Sequence, residues 1–263
     1  MDAGLTKEAL TQEYLRHREE LFAYLFRMVG SYMTAEDLVQ EVAVIMLEQQ
    51  IPELEGTCAR EMFFKIAADL SLEYVSQEKL WPVDAQDKVM ERIFSDIVLM
   101  EELDSFKRYP KITYSVTEHV SFCFDCHVRT LPPPQQAALL LTELFSLSSP
   151  SVAQILGVSA GQLHELVRSA RQTLTELFRQ RCLLISPDGY CRHCDSLNVY
   201  YNQHAPRKLS THLFKNGDSE IQEEDWFFDR LLELVKSVNP IREPSRHLHD
   251  FLSDLILSSE DSG

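Results

Sequence analysis

Glycine and proline are scarce in this 263-residue chain, 8 and 11 in number, which excludes collagen-like and low-complexity architectures. No apolar run approaches the roughly 20 residues needed to cross a bilayer. The amino terminus, Met1-Asp2-Ala3-Gly4, lacks the basic-then-apolar layout of an export signal. Together these predict a cytoplasmic protein with no membrane partner, whose six cysteines stand as thiols or metal ligands rather than disulfides. Cations are short too. The 25 Lys and Arg against 41 Asp and Glu leave a net charge of −16, a poor balance for gripping phosphate. A Walker loop, a Gly-rich dinucleotide turn and an HExxH are all missing, so nothing argues for an enzyme. What remains is ordinary globular material, 44% hydrophobic and 25% charged, long enough for two or three compact units.

The acidity is uneven. Residues 127–183 carry 5 basic and 3 acidic side chains, whereas every other stretch is strongly negative. Solvated acidic faces that keep the protein soluble account for most of the charge, but not for the spared block.

Hydrophobic periodicity is helical nearly throughout and strand alternation is absent, so the predicted class is all-α. Leu21, Leu25, Phe26 and Val29 define a first helix stopped by Gly30. Thr34-Ala35-Glu36-Asp37 has the form of a capping box opening a second helix, with Leu38, Val42, Ile45 and Met46 inward. A third is expected from Arg60 to Tyr74, burying Phe63, Ile66, Ala67 and Leu70. Residues 76–120 read as a linker with some helix, broken at Trp81-Pro82 and irregular from Tyr109-Pro110. In the tail, Phe227, Phe228, Leu231, Leu234 and Val235 mark one amphipathic helix. Leu248, Phe251, Leu252, Leu255 and Ile256 mark another, beyond the break at Asn239-Pro240.

The block from Leu131 to Phe178 is the most legible. Pro132-Pro133-Pro134 leads into a helix over Gln135–Phe145. A short helix with Val152, Ile155 and Leu156 follows, then Gly157-Val158-Ser159 as a turn, with Ser159 as N-cap of a longer helix. That helix turns Leu163, Val167, Ala170, Leu174 and Leu177 inward and carries Arg168, Arg171, Arg179 and Arg181. Two helices joined by a short Gly-containing turn have the layout of a DNA-binding helix-turn-helix; a plain helical hairpin is the alternative.

At these residues the chain resembles a known family. Leu21–Leu47, with Ala35-Glu36-Asp37-Leu38-Val39-Gln40-Glu41-Val42, closely resembles region 2 of the extracytoplasmic-function class of bacterial sigma factors. Leu131–Leu141, Ile155–Gly161 and Ser169-Ala170-Arg171 resemble region 4 of the same class. Arg181-Cys182, Gly189–Cys194, Leu234–Pro240 and Leu248–Leu252 look like a cysteine-containing subgroup with a C-terminal extension. The resemblance implies a region 2-like domain over 10–80, a linker over 81–122, a region 4-like helix-turn-helix over 123–183 and the extension over 184–263.

It further implies a transcription initiation factor that directs core RNA polymerase to promoter DNA, with an anti-sigma or other regulatory protein as a further partner. Asp37, Gln40 and Glu41 would dock on core polymerase, the first two sharing a helix face three residues apart. Gln162, His164, Glu165, Arg168 and Arg171 would face the −35 element, the arginines mostly on phosphates. Arg60 and Lys65 would serve the −10 element, with exposed aromatics of the third helix stacking on an unpaired base. The chain departs from the family at His164 and Leu166, where a basic residue is usual, and in the third helix, where Arg60, Lys65 and Lys79 are the cations. Those departures keep a rival open: a sigma-derived interaction protein that binds polymerase or a partner without opening promoters. A metal sensor whose helix-turn-helix binds an operator without polymerase is a third reading.

Five cysteines bracket the helix-turn-helix: Cys123-x-x-Cys126 before it, then Cys182 and Cys191-x-x-Cys194 after it. Two CxxC pairs can complete a tetrahedral zinc site, with His127, His193 and Cys182 as spare ligands. Redox-responsive thiols are a second possibility and small core hydrophobes a third. Cys123-Phe124-Asp125-Cys126-His127 also matches the attachment motif of c-type haem, which without an export signal has no means of being used. Cys58 stands alone and is expected to be inert.

Overall fold

The computed structural model describes residues 7–48, 58–106, 114–186, 188–202, 224–242 and 246–260. In chain order the helices are α1 (Lys7–Val29), α2 (Tyr32–Glu48), α3 (Ala59–Gln77), α4 (Ala85–Ser95), α5 (Ile97–Ser105) and α6 (Val116–Val128). There follow α7 (Pro133–Leu139), α8 (Ser149–Leu156), α9 (Ala160–Arg181), α10 (His193–Tyr201), α11 (Glu224–Lys236) and α12 (Arg246–Glu260). Among the described residues there is no strand ladder, only an isolated parallel bridge between Cys182 and Cys191, so the fold is all-α.

The chain divides into two compact units, each assembled from two separate stretches. The first takes Met1–Leu80 with Leu131–Ala170, the second Trp81–Thr130 with Arg171–Gly263. The boundary therefore falls inside α9.

In the first unit, α1, α2 and α3 pack as a three-helix group around Leu21, Tyr24, Leu25, Val39, Val42 and Phe63, all fully buried. Each aromatic or aliphatic side chain so buried contributes about 1.5–3 kcal/mol. The Tyr14 hydroxyl donates to the Val39 carbonyl at 2.8 Å, tying α1 to α2. α3 also packs against α7 and α8. The contact centres on Tyr24, Phe64 and Phe145, whose ring centroids lie 5.5–5.7 Å apart. α7 runs on as a π-helical turn, Leu140–Leu144, which ends just ahead of Phe145.

α8 begins at Ser148, whose hydroxyl accepts from the Ser151 amide at 3.2 Å, and ends at Gly157. Gly157 has φ +65°, the left-handed conformation a glycine adopts without steric cost. Ser159 then caps α9 as expected, its hydroxyl accepting from the Gln162 amide at 3.3 Å while Gln162 Oε1 accepts from the Ser159 amide at 2.8 Å.

The second unit uses residues expected as a linker. Trp81, Val89, Met90, Ile93 and Leu103 form one apolar cluster with Leu248, Leu252, Leu255 and Ile256 of α12, so the 81–122 stretch supplies core. Arg129 lies over the Trp81 ring at 4.0 Å. The tail helices bury the faces predicted for them: Phe227, Phe228, Leu231, Leu234 and Val235 on α11, and Leu248, Leu252, Leu255 and Ile256 on α12.

Three local expectations are corrected. α2 starts at Tyr32, two residues before Thr34, because the Ser31 hydroxyl accepts from the Thr34 amide at 3.3 Å and supplies the cap instead. Consequently Ala35, Val39, Val42 and Met46 are its buried positions. On α3 the buried set is Phe63, Phe64, Ala67, Ala68, Ser71 and Val75, so Phe63 and Phe64 are withdrawn from stacking on any base. The Tyr109-Pro110 stretch and residues 203–223 of the tail lie outside the described residues.

Candidate polymerase and nucleic-acid surfaces and the cysteine cluster

α2 buries one face and leaves the other to solvent. Asp37, Gln40 and Glu41 lie on the exposed face, together with Met33, 75% exposed, Val44 and Leu47. The spacing 33, 37, 40, 44, 47 follows the alternating three- and four-residue step of one helical stripe. Sequence reading found its polar members and missed the apolar ones, although the same period would have gathered them. A carboxylate and an amide set between exposed apolar side chains have the chemistry of a docking stripe.

The cations of α3 are engaged within the first unit. The Arg60 guanidinium forks onto the Glu20 carboxylate, with Nε to Oε2 at 2.9 Å, and donates from Nη2 to the Phe145 carbonyl at 2.7 Å. It also lies over the Phe64 ring at 5.1 Å. Beside it Glu61 accepts from the Ser151 hydroxyl, so α3 holds the α7–α8 connection by two polar contacts and an aromatic cluster. Lys65 pairs with Asp69 at 2.6 Å on the outer surface.

The first two turns of α9 are open: Gln162, His164, Glu165 and Arg168 are all exposed. Gln162 spends its carbonyl on the cap, and Arg168 is forked onto Glu165 at 2.6 and 2.9 Å. The later arginines do structural work in the second unit. Arg171 pairs with Asp229 at 2.6 Å and lies over the Phe228 ring at 4.8 Å. Arg181 is buried and bonds Asp87 at 2.6 Å and the Tyr190 hydroxyl. No sequence signal announced these partners, which lie 58 and 94 residues away.

Four of the five clustered cysteines do meet. Cys123, Cys182, Cys191 and Cys194 line one small cavity of about 20 Å³ in the second unit, with His119, His127 and Gln86. Cys126 is elsewhere, 4% exposed in the apolar cluster of α4 and α12. Cys58 is exposed at the start of α3. Burial pushes every cavity thiol up: Cys182 to about 11, and Cys123 well above its ordinary range, with the neighbouring sulfurs adding to the rise. Cys126 rises to about 12 for the same primary reason. The buried His119 and His127 rings are held neutral, His127 with a pKa near 3, because desolvation disfavours the cation. Among the described residues no three His, Cys, Asp or Glu side chains converge as a group able to hold a metal ion. The cavity is about the size of one water molecule.

Residues 121–174 match the family model "Sigma-70, region 4". The match spans the end of α6, α7, α8 and the first two-thirds of α9, the stretch that holds the Gly157 turn. Over 170 residues the chain is 26% identical to a protein of Mycobacterium tuberculosis named ECF RNA polymerase sigma factor SigG, in each of two strains. That alignment covers 60% of this chain and 45% of the relative, so the chain spans about half the length of the curated relatives it matches. Among the described residues no helix is long and apolar enough to cross a membrane. Residues 121–174, with the Gly157 turn, are thus similar to sigma-70 region 4, and the thiol cavity lies in the second unit.

Proposed function

We propose that this protein is a sigma factor of the extracytoplasmic-function type, which recruits core RNA polymerase to promoter DNA in the cytoplasm and consumes no substrate. The observation that carries the reading is the α8–Gly157–α9 turn, which lies within the stretch that matches sigma-70 region 4 and leaves Gln162, His164 and Arg168 exposed. On this reading the first turns of α9 meet the −35 element and the α2 stripe through Asp37, Gln40 and Glu41 meets core polymerase. The thiol cavity makes the factor responsive to oxidation or metal, and an anti-sigma or regulatory protein is its natural counterpart.

The test is affinity for purified core polymerase with a housekeeping sigma factor as competitor. Asp37→Ala should weaken binding about tenfold, the loss of one charge-assisted hydrogen bond worth about 1.5 kcal/mol. No binding by folded protein would overturn the reading.

One set of observations favours a second reading, a sigma-derived protein that binds polymerase without opening promoters. Phe63 and Phe64 are buried, Arg60 is bonded to Glu20 and Phe145, and Lys65 is paired, so α3 offers little to an unpaired strand. Permanganate reactivity of promoter thymines in the assembled holoenzyme separates the two. Reactive thymines support the sigma factor, and a stable but unreactive complex supports the rival.

A further inference from the structure

The cavity thiols are not equivalent. Cys182 leaves the end of α9 and Cys191 leads into α10, and the two are partners in a parallel backbone bridge whose Cys191 amide donates to the Arg181 carbonyl at 2.8 Å. Paired residues on adjacent extended segments lie about 4.8 Å apart. That falls inside the roughly 4.4–6.8 Å between Cα atoms that a disulfide accepts. Residues paired in this way present their side chains on the same face.

The pairing is clamped from both ends of the loop between them. The Cys182 carbonyl accepts from the amides of Ile185 and Ser186 at 3.0 and 2.9 Å. Gly189 is pressed so close that a Cβ there would stand 2.5 Å from the Cys182 carbonyl carbon and 2.7 Å from its oxygen. Only glycine fits, so the loop cannot drift from Cys182 without losing this contact. Neither thiol is sunk in the apolar core as Cys126 is; both are half-buried and border a cavity of about 20 Å³, about the size of one water molecule. Since among the described residues no three ligands converge there, the geometry serves a bond between two sulfurs better than a shell around an ion.

We propose that Cys182 and Cys191 are a peroxide-oxidised pair that closes as a reversible disulfide, fixing the end of α9 to the start of α10. Cys191 gives up its thiol proton and its sulfur attacks one oxygen of hydrogen peroxide; the O–O bond breaks, the leaving hydroxide takes up that proton to become water, and Cys191 becomes a sulfenic acid. The Cys182 sulfur then attacks the Cys191 sulfur, the S–O bond breaks, and the departing hydroxide leaves as a second water with the Cys182 thiol proton. Two thiols lose two electrons and two protons; one peroxide is reduced to two waters. The inference deepens the oxidation-responsive part of the reading above. Its readout is a covalent bond, so its failure leaves recruitment of polymerase untouched.

The experiment treats the full chain with hydrogen peroxide, blocks remaining thiols by alkylation and maps tryptic peptides by mass. Cleavage after Arg181 and Arg192 places both sulfurs in one peptide, Cys182–Arg192, which should become two hydrogens lighter and recover with dithiothreitol. Cys194→Ser should leave that loss intact. Cys182→Ser should abolish it and leave a Cys191 sulfenic acid trapped by dimedone, and Gly189→Ala should suppress it with every thiol still present. A link from Cys182–Arg192 to the peptide beginning at His193 would mean that Cys194 belongs to the pair and would overturn the proposal. So would both thiols staying reduced at peroxide levels that oxidise the exposed Cys58, or one equivalent of tightly held metal protecting the cavity.

Discussion

Replacing Arg60 with alanine separates two roles that a sequence cannot tell apart. The resemblance places Arg60 on the −10 element, while the structure places its guanidinium among Glu20, the Phe145 carbonyl and the Phe64 ring. The fork onto Glu20 is a charge-assisted pair, but 26% of the arginine and 32% of the glutamate side chain remain exposed, so solvent screens it to about 1 kcal/mol. The bond to Phe145 adds about 0.5–1 kcal/mol, and the ring contact about 0.5 at this exposure. Arg60→Ala should therefore cost about 2 kcal/mol. In a unit of about 120 residues, each kcal/mol moves Tm by roughly 3–5 °C, so calorimetry should find a transition lowered by about 6–10 °C. Arg60→Lys keeps the charge but loses the fork and should fall between the two. A folded Arg60→Ala protein with unchanged Tm would refute the structural role and return the guanidinium to DNA.

The two arginines of α9 should part company in the same way. Arg168→Ala, on the exposed first turns, should weaken promoter binding by holoenzyme and reduce its log–log salt slope by about 1. Arg171→Ala, held by Asp229 and Phe228, should lower Tm and leave that slope unchanged, and the opposite pattern would exchange their roles. Acid should destabilise the second unit through its buried histidines. Both His119 and His127 have folded pKa values below the unfolded 6.5, so below pH 6.5 the unfolded chain binds more protons. The stability present above pH 6.5 is then lost as pH falls below it, at about 1.4 kcal/mol per pH unit for each ring that stays neutral in the folded protein. Asp250 and Asp254, raised by burial, oppose this only in the carboxylate range. Urea denaturation at pH 7, 6 and 5 measures it, and constant stability across that range would mean the rings are not held neutral.

The helices and most of their inward faces were legible because a 3.6-residue period survives in any amphipathic segment. Gly157 and Ser159 marked the turn before α9 for local reasons: a left-handed cap and a hydroxyl N-cap are decided within a few residues. The 81–122 stretch failed as a linker because its apolar residues are matched by α12, over 120 residues later in the chain. Local pattern gives no warning of such a partner. Arg60 was illegible for a different reason: its position was known, but a guanidinium serves a phosphate, a carboxylate and an aromatic face equally well, and its neighbours Glu20, Phe145 and Phe64 lie far off in sequence or give no local sign.

The cysteines show how a correct residue type can be grouped by the wrong rule. CxxC predicts convergence when the chain turns between the two sulfurs, but Cys123 and Cys126 both lie on α6, where three residues is most of a helical turn. Each residue advances about 100° around the axis, so Cys126 joins Phe122, four positions back, in the apolar cluster with α4 and α12. Cys123 joins His119 and His127, four positions on either side, along the cavity. The operative pattern on α6 is therefore His-x-x-x-Cys-x-x-x-His, legible once the segment is known to be helical. Cys194 stands in the first turn of α10, and Cys182 and Cys191 bound an irregular loop, where spacing carries no such rule. Cys182 and Cys191 are nine residues apart, and what pairs them is a backbone bridge and a glycine with no room for a Cβ. Helical period assigns one cysteine of the cluster and loop geometry brings two more together, which is why a search for metal-ligand spacing found the four thiols of the cavity and also took in Cys126, which lies in the apolar cluster.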